Sequence, residues 1–310
     1  MRLLKLLSVV LTVVAVILFL AAIVVPSQME DRTAPVISMD SDRVEISVSD
    51  DNSAILAGVT AQDAEDGDVT ASLLVESLSN FVAPGERTAT IVAFDADNHI
   101  TKATRTVHYT DYTHPTFSLS KPFSFPIGTK TENIAANLTA QDCLDGNITR
   151  RITRTNAEGS SFNSGVPGIY PMTFSVSNSA GDVEKFTASV EIYDSTTANL
   201  LSISLSQAII YLPRDSAFNP ADYLSALTVD NTIYVRQEDG SLLDSSKLNV
   251  VYEGEEAVSQ VTEADYYPLD RIQINNPVDP STPGWYEVSY TITSISGSTR
   301  TAYLLVRVED

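Results

Sequence analysis

The chain has 310 residues, enough for two or three domains, and its 40 acidic and 19 basic residues give a net charge of −21. This balance excludes nucleic acid as a partner, because phosphate binding needs clustered Lys and Arg, and it disfavours docking on anionic lipid headgroups. The single cysteine, Cys143, excludes an intrachain disulfide, so the domains must be held together by packing alone.

The N-terminal segment is strongly apolar. Residues 6–25 would form a helix about 30 Å long, which matches the thickness of a hydrocarbon core. Arg2 and Lys5 precede this run and acidic residues follow it, so the positive-inside rule predicts a cytoplasmic N-terminus. We predict a single-pass membrane anchor, with the bulk of the chain extracellular. A cleaved signal peptide and a buried core helix are the alternatives, and the signal would also export the rest of the chain.

An internal repeat supports the fold prediction. Residues 60–70 read TAQDAEDGDVT and residues 139–149 read TAQDCLDGNIT, with seven of eleven positions identical and a spacing of about 80 residues. A Pro-Gly pair follows each copy, and a weaker third copy keeps only this pair and the hairpin after it: Pro84 and Gly85, Pro167 and Gly168, Pro283 and Gly284.

Apolar and polar residues alternate around short turns in each copy. The second copy alternates over residues 170–176 and 186–192, and the third does so over 286–292 and 304–308. A period of two indicates half-buried strands joined as hairpins. No sustained helical period follows the N-terminal segment, so the crossover helices of a parallel α/β fold are missing.

The predicted fold class is therefore all-β, with tandem Ig-like β-sandwich domains after one N-terminal transmembrane helix. The repeat spacing sets the predicted limits: residues 1–28 for the anchor or signal, 29–111 and 112–194 for the first two Ig-like domains, and 195–310 for a divergent third domain with an insertion.

The repeated element has a structural explanation. An Asp-Gly pair predicts a tight turn, because Asp binds nearby amides and Gly accepts a positive φ, and the β-branched residues after it predict the start of the next strand. The residues concerned are Asp66, Gly67, Thr70, Asp145, Gly146 and Thr149. Tyr170 and Tyr286 fall where sandwich domains place a corner tyrosine, whereas the first copy has Arg87 there.

These motifs resemble a family of bacterial Ig-like domains that occur in tandem on Gram-positive surface proteins and in some insecticidal crystal proteins. The resemblance covers residues 32–194 and, more weakly, the hairpin that ends the chain. It implies a sandwich fold. It carries over no catalytic activity, and a sandwich module serves equally as a spacer or an adhesin.

The search for chemistry predicts neither an enzyme nor a cofactor. The three histidines lack the spacing of a zinc site, and no nucleophile elbow, P-loop or dinucleotide fingerprint is present. One acidic cluster has oxygen ligands close enough in sequence for Ca²⁺: Asp63, Glu65, Asp66 and Asp68. The alternative for this cluster is turn formation with solvated charge.

Two functional hypotheses follow. The first is a membrane-tethered extracytoplasmic surface protein with a structural, spacer or adhesive role, its sandwiches projecting in series towards a protein or glycan ligand. The second is an accessory carbohydrate- or envelope-binding module that acts with a separate enzyme, with Trp285, the single tryptophan, as its candidate sugar platform. A catalytic domain within residues 195–310 is a third, less supported hypothesis.

Overall fold

The computed structural model describes residues 8–20, 32–194, 200–248 and 261–310. These residues form mostly β-sheet, which confirms the all-β class, and the chain divides into two compact units, Met1–Tyr112 and Thr113–Asp310. The domain limits at residues 28, 111 and 194 stay predictions.

The helix near the N-terminus is described over residues 8–20. Among the described residues, no helix combines the length and the apolar character needed to cross a membrane. The transmembrane helix expected over residues 6–25 is therefore not found, and residues 6–7 and 21–25 of that prediction lie outside the described residues.

The first unit contains one sandwich of two sheets. One sheet has the strand order β1-β3-β4 and the other β2-β7-β6-β5, in which β2 runs parallel to β7 and the other pairs are antiparallel. The strands are β1 (Val36–Met39), β2 (Arg43–Ile46), β3 (Val59–Asp63), β4 (Gly67–Asp68), β5 (Leu74–Leu78), β6 (Glu86–Phe94) and β7 (Ile100–Tyr109), with 3-10 turns at Asn52–Leu56 and Thr70–Ser72.

The second sandwich repeats this topology strand for strand. Its sheets have the orders β11-β10-β8 and β12-β13-β14-β9, and β9 again runs parallel to β14. The strands are β8 (Thr116–Leu119), β9 (Ser124–Pro126), β10 (Leu138–Asp142), β11 (Gly146–Asn147), β12 (Thr153–Asn156), β13 (Gly168–Ser177) and β14 (Val183–Tyr193), with 3-10 turns at Thr131–Asn133 and Thr149–Arg151.

The third sandwich keeps the same plan and lengthens one sheet. The orders are β15-β17-β18-β19 and β16-β22-β21-β20, with β16 parallel to β22. The strands are β15 (Leu201–Leu205), β16 (Ile209–Leu212), β17 (Leu224–Val229), β18 (Thr232–Arg236), β19 (Leu242–Asp244), β20 (Gln273–Asn275), β21 (Gly284–Thr293) and β22 (Thr299–Val308); 3-10 turns lie at Pro220–Tyr223, Ser245–Lys247, Glu263–Asp265 and Leu269–Arg271.

The alternation expected from the sequence is present in the hairpins that end each sandwich. In β13 and β14 the buried apolar residues are Met172, Phe174, Val176, Phe186, Ala188, Val190 and Ile192, and in β21 and β22 they include Val288, Tyr290, Ile292, Leu304, Val306 and Val308. One period of two therefore specifies which side of each sheet meets the core.

One buried residue breaks the apolar pattern. Arg105 of β7 is 3% exposed, and its guanidinium donates to the carbonyl oxygens of Ile55 and Ala57 at 2.8 and 2.6 Å and to Asp40 at 3.2 Å. The charge thus replaces a small apolar residue, since Ala188 stands at the matching position of the second sandwich. The two carbonyl oxygens and Asp40 thus provide hydrogen-bond acceptors for the buried guanidinium, which would be costly to bury without them.

The strand expected directly after the Asp-Gly turn does not begin there. Thr70 and Thr149 instead begin 3-10 turns, and the next strands start at Leu74 and Thr153. The threonine side chains are engaged with the preceding strand, as described below, which prevents an immediate extended continuation.

Candidate functional site

The repeated turn is built around one buried carboxylate in each of the first two sandwiches. Asp63 Oδ1 accepts the backbone N–H groups of Glu65 and Asp66 at 2.8 and 3.0 Å, and Asp142 Oδ1 accepts the equivalent N–H groups of Leu144 and Asp145 at 2.9 Å each. The N–H groups of Asp66 and Glu65 hold the pKa of Asp63 below its ordinary value. This carboxylate therefore shapes the turn and stays ionised.

The motif threonine closes the turn onto the strand before it. Thr70 Oγ1 accepts the N–H of Ala61 at 3.0 Å and donates to its carbonyl at 3.3 Å, and Thr149 does the same to Ala140. Gly67 and Gly146 have φ of +75° and +67°, as the sequence predicts. The Thr hydroxyl thus supplies the donor and the acceptor that the backbone of a neighbouring strand would supply to Ala61 or Ala140. This explains why Thr occupies the position.

A second Asp ties the turn to the opposite hairpin in all three sandwiches. Asp66 accepts the N–H of Ala96 at 2.7 Å, and Asp145 accepts the N–H and hydroxyl of Ser179 at 2.6 and 2.7 Å. In the third sandwich Asp230, at the β17–β18 turn, accepts the N–H of Ile295 at 3.1 Å. The third copy therefore keeps the tether although its sequence has lost the Asp-Gly pair.

Replacing Asp145 by Ala is expected to destabilise the second sandwich by about 1 kcal/mol, since two hydrogen bonds to Ser179 are lost at a partly solvated site. Urea denaturation gives the free energy of unfolding, and hydrogen exchange should quicken at residues 178–182. Glu158→Ala, at an exposed position, is the control. Equal exchange at this hairpin loop in wild type and variant would contradict the tether.

The four calcium candidates do not come together as a ligand set. Within the described ranges, no group of three or more His, Cys, Asp or Glu side chains is arranged to hold a metal ion. Asp63 and Asp66 accept backbone N–H groups as above, Asp68 accepts the N–H of Thr70 at 3.0 Å, and Glu65 is exposed. The geometry favours the turn interpretation, and calcium binding stays a prediction for titration.

The two tyrosines named as corner candidates make equivalent hydrogen bonds. The Tyr170 hydroxyl donates to the carbonyl of Val166 and the Tyr286 hydroxyl to that of Thr282, both at 2.9 Å and both four residues upstream. In the first sandwich Arg87 instead lies 5.4 Å from the ring centre of Tyr109. The Pro-Gly pairs thus position a bond that fixes the start of β13 and β21.

The second and third sandwiches meet at a contact that we call the joint, in which β8, β9 and β14 of the second sandwich contact β16, β21 and β22 of the third. It runs from Glu184 to Tyr193, about 30 Å of strand at 3.3 Å per residue. The second sandwich's core also takes in Ala208 and Leu305 of the third. These two sandwiches therefore lie side by side, and the expected end-to-end series does not describe them.

One end of the joint holds a buried ion pair. Arg300 Nε lies 2.9 Å from Glu191, with side-chain exposures of 14% and 10%, and a second nitrogen of Arg300 donates to Ser124 at 3.0 Å. The guanidinium also lies 3.8 Å from the ring centre of Tyr193. Burial raises the pKa of Glu191 despite hydrogen bonds from Ser124 and the nearby Arg300 charge. Each charge depends on the other for compensation.

The other end combines an ion pair with aromatic packing. Arg307 Nε lies 3.3 Å from Glu184, which also accepts the indole N–H of Trp285. The Trp285 ring lies 4.8 Å from that of Phe186 and 5.9 Å from that of Tyr211. The indole is therefore packed into the joint, so it does not serve as an exposed sugar platform. Glycan binding by the chain stays a prediction, and Trp285 is no longer its candidate contact residue.

Tyr211 adds a cross-sandwich hydrogen bond. Its hydroxyl accepts the backbone N–H of Phe117 in β8 at 2.6 Å, and burial raises the pKa of Tyr211 to about 12. The phenol therefore stays neutral in the physiological range and pairs with an N–H group of the second sandwich.

Glu287 lies between the two ends. It accepts the N–H and hydroxyl of Ser189 at 2.7 and 2.6 Å, and among the described residues no cation forms an ion pair with it. Burial raises the pKa of Glu287, against the lowering effect of the Ser189 bonds. Protonation would remove this buried negative charge, so the stability of the joint is expected to increase in mild acid.

Lowering the pH from 7.5 to 5.0 is expected to stabilise residues 113–310. A carboxyl whose folded pKa is raised gives its full stabilisation below its unfolded pKa, ordinarily 4.5, and loses it as the pH rises through the folded value. Urea midpoints followed by Trp285 fluorescence should therefore increase at pH 5.0, and by less in Glu287→Gln. A lower midpoint at pH 5.0 in the wild type would contradict this sign.

His99, His114 and Cys143 each contact a residue of their own unit. His99 contacts Asp95 at 2.8 Å, His114 contacts Asp182 at 2.6 Å, and the Cys143 thiol donates to the carbonyl of Thr113 at 3.2 Å. These contacts are local to loops and linkers. The expected packing role of Cys143 fits its half-buried position.

No family model matches the chain, so the family resemblance stays a prediction. One relative is an uncharacterized 81.3 kDa protein of Acholeplasma phage L2, 31% identical over 106 residues. That match covers 34% of this chain and 14% of the phage protein. The chain therefore corresponds to a small part of that relative.

Several solved structures resemble parts of the chain. CBM51-2 in complex with GlcNAc and INT domains, from Clostridium perfringens ZmpB, is 19% identical at a TM-score of 0.20 and covers 49% of this chain and 26% of that one. A lipoprotein from Bacteroides thetaiotaomicron is 15% identical with a TM-score of 0.22, and the match covers 62% of this chain and 99% of the lipoprotein. Domains 6–7 of surface layer protein SbsC are 12% identical with a TM-score of 0.19, and the match covers 51% of this chain and 97% of that structure. TM-scores this low establish neither family nor function.

Proposed function

We propose that the chain is an exported structural module of a bacterial surface, a spacer or adhesive element whose second and third sandwiches act as one stiff body. The observation that carries this proposal is the joint, which buries the Arg300–Glu191 pair and packs the partly buried Trp285 ring between two sandwiches. Bending the joint would expose or unpair these groups, and an unpaired buried charge is costly. A spacer needs this resistance to bending.

The proposal includes the absence of catalysis and of a bound cofactor. The charged side chains of the joint are paired with each other or with Ser hydroxyls, as Glu191 is with Arg300 and Ser124. A paired, packed network of this kind stabilises structure and leaves no group free to act as a general base. The acidic surface supports solubility outside the cell and repels anionic polymers.

Attachment to the membrane through residues 6–25 is the finer part of the proposal. It rests on the apolar sequence and on Arg2 and Lys5 before it. Export itself would follow equally from a cleaved signal at the same place.

Thiol labelling of intact cells tests export. In a Cys143→Ala background, Val82→Cys and Ile295→Cys place single thiols at positions that are 68% and 93% exposed in the first and third sandwiches. A membrane-impermeant maleimide should label both in intact bacteria that express the full chain, while a cytoplasmic protein stays unlabelled. Labelling of both positions only after lysis would overturn the proposal.

A further inference from the structure

One outward sheet face of the first sandwich carries apolar side chains in contiguous positions. Leu74 of β5 pairs with Val92 of β6, and Phe94 pairs with Ile100 of β7. Ala89, Ile91 and Ala93 of β6 are fully buried, so the even-numbered positions Val92 and Phe94 face away from the core. We call Leu74, Val92, Phe94 and Ile100 the apolar face.

This face is open at its edges. Leu74 is 43% exposed, Phe94 38% and Ile100 61%, while the central Val92 is 7% exposed and pairs with Lys102, which forms an ion pair with Glu76. Single exposed apolar residues are ordinary on protein surfaces, but three exposed apolar side chains grouped around a buried one are more typical of an interaction surface.

The sister sandwiches provide a comparison within the chain. The positions matching Leu74, Val92, Phe94 and Ile100 are occupied in the second sandwich by Thr153, Ser175, Ser177 and Val183, and in the third by Gln273, Thr291, Thr293 and Thr299. The shared topology therefore works with polar residues at most of these positions. The apolar side chains of the first sandwich are not required by the fold.

The surroundings of the apolar face are acidic. The hairpin loop after Phe94 contains exposed Asp97, and Asp66, which accepts the N–H of Ala96, brings the turn with exposed Glu65 and Asp68 against this loop. Two copies of the chain, each with a net charge of −21, would bring like charges together at this rim. Anionic lipid would meet the same repulsion. A partner surface with Lys or Arg at its rim would complement the acidic residues around the apolar face.

We propose that the apolar face docks a protein partner whose contact surface is apolar at its centre and rich in Lys or Arg at its rim. Phe94 is the aromatic anchor at the edge of the face, and the acidic loops at the β6–β7 end steer the basic rim. This goes beyond the proposed function, because the docking does not depend on export or on the stiffness of the joint.

Two synthetic peptides serve as probes. Both alternate Phe, Leu and Val on one face, and the other face carries Lys in the first peptide and Glu in the second. The full chain should bind the Lys peptide at least 10-fold more tightly than the Glu peptide in fluorescence anisotropy, with weaker binding at higher salt. Hydrogen exchange should show protection within residues 74–102.

The deciding variant exchanges the apolar face for its sister residues. Leu74→Thr with Phe94→Ser copies Thr153 and Ser177, and the outward positions should leave the fold intact by circular dichroism. We expect at least a 10-fold loss of Lys-peptide binding. Ile295→Ser, which removes the 93% exposed apolar side chain of the third sandwich, should leave binding unchanged.

Three results would each overturn the proposal. Equal binding by the double variant would show that general charge attraction holds the peptide. A wild-type dimer in ultracentrifugation that the double variant abolishes would assign the face to self-association. Binding to phosphatidylcholine vesicles that the double variant abolishes would assign it to lipid. If the double variant fails to fold, Phe94→Ser alone gives the same comparison.

Discussion

Replacing Arg300 by Met is expected to lower the free energy of unfolding of residues 113–310 by about 3 kcal/mol, because removing one partner leaves a buried charge without compensation. Glu191 would keep its Ser124 hydrogen bond and lose the guanidinium 2.9 Å away. The stacking of Arg300 on Tyr193 would also be lost.

Urea denaturation of the full chain measures this loss through Trp285, the single tryptophan, which lies in the joint. Arg150→Met changes an exposed arginine of the second sandwich and should shift stability by no more than about 0.5 kcal/mol. Adding Glu191→Gln to Arg300→Met should recover part of the loss. A loss equal to that of the Arg150 control would show that the pair is solvated and contributes little.

Replacing Trp285 by Ala is expected to cost about 3 kcal/mol, the lower end of the range for removing a large aromatic side chain from a core, because the ring is partly buried. The indole contacts Phe186, a core residue of the second sandwich, and Tyr211 of the third, and it donates a hydrogen bond to Glu184. The cavity would therefore open between the sandwiches and weaken both.

Hydrogen exchange is the measurement for this variant, since it removes the fluorescent probe. Exchange should quicken in β14 of the second sandwich as well as in β21 and β22 of the third. Trp285→Phe should recover part of the packing without the hydrogen bond to Glu184. Faster exchange confined to β21 and β22 would mean that the indole serves its own sandwich alone.

The features that sequence could predict are those specified locally. Alternation over residues 170–176 and 186–192 predicts the hairpin of β13 and β14 with the correct buried face. A positive φ at Gly67 and a corner bond from Tyr170 follow from residue type and position. Each depends on neighbours a few residues away, so a single chain carries the signal.

The features that sequence missed depend on distant partners. Arg105 can be buried because its guanidinium donates to carbonyls about 50 residues earlier, and no local pattern indicates these partners. The joint lies on outward positions, where Trp285, Glu287 and Arg307 look like solvated residues. One sequence signal for the joint was Leu305, an apolar residue on the outward side of β22. It is 2% exposed because the second sandwich covers it.

Native-state hydrogen exchange of the full chain tests most directly whether the second and third sandwiches are one body. We predict that the slowest amides of β14 and β22 open with the same free energy, and that Arg300→Met lowers both by the same amount. Different opening free energies in the wild type, with an Arg300→Met effect on β22 alone, would contradict a single cooperative unit and remove the basis for a stiff spacer.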